Sequence, residues 1–117
     1  MKERYTIKDM KVTALLKDVE LRVKNIFGEN LNDIILYGSY ARNDNTSESD
    51  IDIMILVDEE DQYLRKYEDQ LTDIMVDLSL EYEVVVSLYA QAMKEYTKQV
   101  QVVPFLKNIQ REGIKVF

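Results

Sequence analysis

Ile34-Ile35-Leu36-Tyr37-Gly38-Ser39-Tyr40-Ala41-Arg42, followed after a polar loop by Asp50-Ile51-Asp52-Ile53-Met54-Ile55-Leu56-Val57, is the stretch that decides the fold of this chain. Two apolar runs flank a turn and a loop, the pattern of two strands meeting at a functional edge. Side chains alternate along a strand, so Asp50 and Asp52 point to the same face. Their Cα atoms then stand about 6.5–7 Å apart. Carboxylates converging from that separation can bridge two metal ions roughly 3.5–4 Å apart, the arrangement that serves in-line displacement at phosphorus. Like charges among isoleucines have no packing rationale, because burying them without a counter-ion is very unfavourable. A bound cation removes that objection.

Gly38 lacks a Cβ, so it lets the strand that ends at Tyr37 turn sharply and lets the backbone approach a ligand. Ser39 is expected to cap a short helix over Tyr40–Asn43. Its hydroxyl and the first free N–H groups would then face an anion. A triphosphate held there, with magnesium on Asp50 and Asp52, outlines a nucleotidyl-transfer site.

At 117 residues the chain is one domain, residues 1–117, with room for a modest core and none for a second substrate-binding unit. Hydrophobic residues make up 46% and charged residues 32%, the balance of a soluble globular protein. No run approaches the roughly 18 apolar residues of a membrane span. Met1-Lys2-Glu3-Arg4 is not the start of a signal peptide, so a cytoplasmic location is expected. With no cysteine and no histidine, any metal must sit on oxygen, which favours magnesium, with manganese as the alternative, over zinc. A net charge of −7 argues against strong binding to a nucleic-acid backbone. It equally suits a basic protein partner, and assembly into an oligomer stays open.

Apolar positions from Lys8 to Phe27 recur three and four apart, an amphipathic helix with Thr6 as a candidate cap and Gly28 past its end. Strands are expected over Leu31–Tyr37 and Asp50–Val57. A helix is expected over Asp58–Leu80, opening on acidic residues, and a β-branched strand over Glu83–Tyr89. Residues 90–98 read as helical. Pro104 opens a last helix that Gly113 ends, with a tail strand over 114–117. The order α-β-β-α-β-α-α is an α/β (α+β) domain, one small sheet covered by helices.

Gly38-Ser39, ten residues from Tyr40 to Ser49, then Asp50-Ile51-Asp52 resembles the signature of the DNA polymerase β-type nucleotidyltransferase superfamily. The small size and the context Tyr37-Gly38-Ser39-Tyr40-Ala41-Arg42 resemble its minimal nucleotidyltransferases. These are commonly paired with a helical HEPN-domain partner, and some act as antitoxins. The resemblance covers roughly residues 31–88 and implies a mixed sheet of the nucleotidyltransferase fold. It also implies two magnesium ions, a nucleoside triphosphate, with ATP as donor, and transfer of AMP to a tyrosine hydroxyl of a HEPN-domain toxin. Where the family often has glycine after the arginine, this chain has Asn43, which also tolerates positive φ.

The resemblance further implies a third carboxylate on a neighbouring strand, as metal ligand and general base. Glu83 is the candidate, because on a strand it shares parity with Val85 and Ser87; Glu81 is the weaker one. Arg42, one short turn after Ser39, either reaches the phosphates or pairs with Asp44. Tyr37 and Tyr40 flank the turn, more as packing than as base supports. Two alternatives stand beside transfer to a toxin. One is an antitoxin that acts by binding alone. The other is an enzyme acting on a small molecule with a partner subunit completing the pocket.

Overall fold

The structure, a computed structural model, describes residues 1–117. β2 (Leu31–Tyr37) and β3 (Ile51–Val57) pair antiparallel, and β4 (Val86–Ala92) runs parallel to β3. β5 (Ile114–Lys115) lies antiparallel to β2, and β1 (Lys2–Glu3), which has no counterpart in the sequence pattern, pairs parallel with β5. The result is one mixed sheet in the order β1-β5-β2-β3-β4.

β3 is apolar at every position but Asp52 because helices cover both of its faces. On one face α1 (Met10–Phe27) and α4 (Glu68–Tyr82) close over Ile51, Ile53, Ile55 and Val57 in a cluster of 21 buried residues. On the other, α5 (Met93–Gln99) and α6 (Pro104–Glu112) pack Tyr96, Leu106 and Ile109 against Ile35, Met54 and Leu56. Asp52 shares parity with Met54 and Leu56, so it stands on this second face, where the smaller cluster stops. No helix is long and apolar enough to cross a membrane.

Several element ends differ from the sequence expectation. α1 is capped by Asp9, whose carboxylate accepts from the Val12 N–H at 3.0 Å, whereas Thr6 belongs to a separate 3₁₀ turn (Arg4–Thr6). A cap must sit next to the first turn to reach its free N–H groups. The helix expected over Asp58–Leu80 is divided into α3 (Asp61–Leu64), a 3₁₀ turn (Arg65–Tyr67) and α4. Asp61 is tied to β4 by accepting from the Ala92 N–H at 3.0 Å, and Tyr67 is held by the Phe27 ring at 4.6 Å. These two contacts hold the start of the segment and its 3₁₀ turn in place. The third strand starts at Val86 and not at Glu83, and α5 starts at Met93 because Ala90, Gln91 and Ala92 stay in β4. Pro104 opens α6 and Gly113 follows its end, as the sequence indicates.

Candidate active site

β2 ends at Tyr37, and Gly38 turns the chain with φ 77° and ψ −157°. Its carbonyl accepts from the N–H groups of Ala41 and Arg42, each at 3.1 Å, which starts α2 (Ser39–Arg42). Gly38 is therefore the cap, and Ser39 is the first helical residue, with no side-chain bond closing the turn. This corrects the expectation that Ser39 caps the helix: with Gly38 supplying the capping carbonyl, the serine is displaced one position inward. Asn43 ends α2 in the left-handed conformation at φ 62°, which its side chain tolerates. The Lys2 Nζ donates to the Ala41 carbonyl at 2.6 Å, so β1 pins the far end of the turn.

Asp52 meets this turn directly. A Cβ built on Gly38 would lie 2.6 Å from Asp52 Oδ2, so no other residue fits there without moving the carboxylate. Asp52 stands opposite Tyr37 on β2 and opposite Ser87 on β4. Asp50 lies one residue before β3 and is exposed. Burial holds the Asp52 carboxyl above its ordinary range, the Asp50 charge adds to this, and Arg42 opposes it. The Tyr37 phenol is pushed up to about 12, by burial first and then by Asp52 and Tyr89. Every donor here is oxygen, and neither carboxylate is held in an ion pair, since Arg42 is turned to Asp44 and Glu112. That donor chemistry fits a hard cation such as magnesium.

Tyr37, Gly38, Arg42 and Asp52 open into a cleft of about 260 Å³ whose other wall is α6, through Phe105, Asn108, Ile109 and Glu112. The Phe105 ring sits edge-on to Tyr37, with centroids 5.7 Å apart. Arg42 is exposed at the mouth and paired twice, Nε to Asp44 at 3.2 Å and Nη1 to Glu112 at 3.5 Å. A larger cleft of about 510 Å³ opens at the opposite end of β3, between Asp58–Gln62 and the start of α5. It holds none of the motif residues, so its size does not make it the reaction site.

Glu83 does not join the aspartates. It ends α4 in the left-handed conformation at φ 54°, its N–H donating to the Ser79 carbonyl, and lies outside β4. The valines that follow favour a strand, but the closing turn of α4 takes Glu83 first. No three acidic side chains are gathered where they could hold a metal, and Glu81 lies on the exposed side of α4. Ser87, the β4 residue whose parity Glu83 is expected to share, is the one that faces Asp52. Sequence reasoning missed the α6 wall, because nothing local links Phe105 or Asn108 to a turn far earlier in the chain.

Among known proteins, the family described as nucleotidyltransferase domain matches residues 16–115. A Methanocaldococcus jannaschii protein named "Putative protein adenylyltransferase MJ0604" is 34% identical over 113 residues, 97% of this chain and 96% of that protein. A second from the same organism, "Putative protein adenylyltransferase MJ0141", is 28% identical over 109 residues, 92% of this chain and all of that protein. Two solved structures share the fold. One is a toxin–antitoxin with AMP-PNP, at TM-score 0.52 and 19% identity, covering 92% of this chain and 70% of that chain. The other is the toxin–antitoxin MntA–HpeT in mutant form, at TM-score 0.53 and 14% identity, covering 86% and 72%.

Proposed function

The chain belongs to the nucleotidyltransferase domain family, and on that premise we propose that it transfers AMP from ATP to a tyrosine hydroxyl of a HEPN-domain toxin, as its antitoxin. The observation that carries this reading is that the Asp52 carboxylate fills the space a side chain at Gly38 would need, which makes the two halves of the motif one site. Gly38 and Ser39 hold the phosphates through backbone and hydroxyl. Asp50 and Asp52 hold a divalent cation, which supplies charge neutralisation at phosphorus when bound. Arg42 exchanges Asp44 and Glu112 for a phosphate oxygen at the cleft mouth. The acceptor hydroxyl gives up its proton to solvent, its oxygen bonds to the α-phosphorus as the bond to the oxygen bridging to the β-phosphate breaks, and pyrophosphate leaves. The adenylyltransferase names of the relatives support the donor, and the solved toxin–antitoxin neighbours support the partner.

Incubation with ATP labelled at the α-phosphate, magnesium and the product of the adjacent reading frame tests the proposal. Label is expected on the partner with the native chain and none with Asp52→Asn. The absence of an acid at Ser87 favours a second reading, neutralisation by binding alone. In that case the partner would be bound and inactive but unlabelled.

A further inference from the structure

We infer that this site holds one divalent cation and not two, because Ser87 stands where a second ion would need a carboxylate. The inference rests on the cation-dependent reading above and narrows it. Two ions roughly 3.5–4 Å apart bring four positive charges, and magnesium demands six oxygens in near-ideal octahedral order around each. An ion beside the phosphates draws several of those oxygens from the nucleotide. A second ion on the acceptor side depends on the protein. On β2 its neighbour is Tyr37, directly across from Asp52, and on β4 it is Ser87. The next residue of β4 on the same face is Tyr89, across from Met54. All three are neutral hydroxyls. The one remaining acid on this face of β2, Asp33, sits at the far end of the ladder and is paired with Lys115 at 3.4 Å. Arg42 adds a fixed positive charge at the same cleft. Of the acids off the sheet, Glu112 on the α6 wall is taken by Arg42 at 3.5 Å and by Arg111 at 3.3 Å, and Asp44 by Arg42 at 3.2 Å. Asp50 and Asp52 can share one ion, but the strands beside them offer no carboxylate for a second.

This bears on the acceptor. Without a second ion, the strand residues across from Asp52, Tyr37 and Ser87, offer no carboxylate to take the proton of an incoming hydroxyl. A phenol, which ionises near 10, suits such a site better than an aliphatic alcohol.

Bound manganese, counted by paramagnetic resonance of the free ion with a non-hydrolysable ATP analogue present, tests the inference. One ion per native chain is expected, falling to none in Asp52→Asn and rising to two in Ser87→Asp. Two ions in the native chain would overturn the inference and leave the nucleotide site standing. None in the native chain would remove the cation-dependent reading itself, and the inference with it. One ion that persists in Asp52→Asn would place it outside the motif, with the same consequence. If Ser87→Asp folds and still binds one, the role given to Ser87 is wrong; if it does not fold, the native count decides alone.

Discussion

Asp52 is half-buried beside Asp50 with no fixed cation between them, and its carboxyl is held above the usual range. A carboxyl whose folded pKa is raised adds stability below its unfolded value, and that stability is lost as pH rises through the folded pKa. Asp52→Asn removes this penalty. Without divalent metal, the variant should melt above the native chain at neutral pH, with the gap closing as pH falls towards about 4. A gap that does not change with pH would show that Asp52 is not strained by charge. Gly38 carries a second expectation. Its φ of 77° and the 2.6 Å that would separate an added Cβ from Asp52 Oδ2 both oppose a side chain. Gly38→Ala should destabilise by about 1–3 kcal/mol in urea unfolding and abolish nucleotide binding. An alanine variant with native stability and affinity would dissociate the turn from the carboxylate.

At the scale of elements, the ends of α4 and α6 carry the testable statements. Glu83 holds a left-handed cap that glycine would hold without strain, so Glu83→Gly should stabilise by about 1 kcal/mol. Turnover should stay within tenfold of native, since Glu83 is away from the aspartates; a larger loss would restore it to the site. Gly113, between α6 and β5, is enclosed differently: a Cβ there would lie 2.6 Å from the Ile109 carbonyl and 2.7 Å from Ile35 Cγ2. Gly113→Ala should cost about 1–3 kcal/mol, read by urea unfolding, and loosen the α6 wall of the cleft. These ends also mark what the sequence made legible. The apolar period of α1 and the continuous apolar runs of β2 and β3 located each within a few residues, because the helix buries one face and the strands are covered on both. Local propensity misplaced the start of β4, where a helix terminus competes with a run of valines for the same residues. The Gly-Ser and Asp-x-Asp halves were readable as one pattern. The residue facing Asp52 from β4 depended on where α4 stops, which no local signal sets.

The whole molecule presents a site on the one face of the sheet that its helices leave partly open. α1 and α4 seal the other face, while α5 and α6 cover only the far half of this one. The chain as a whole carries a net charge of −7, so a nucleoside triphosphate meets an unfavourable field unless a cation accompanies it. Nucleotide binding should therefore depend on divalent metal and on Asp52 together. Calorimetric titration of a non-hydrolysable ATP analogue, with magnesium and with chelator, into native and Asp52→Asn chains measures this directly. Binding heat is expected only for the native chain with magnesium. Equal binding in chelator, or equal binding by Asp52→Asn, would contradict it.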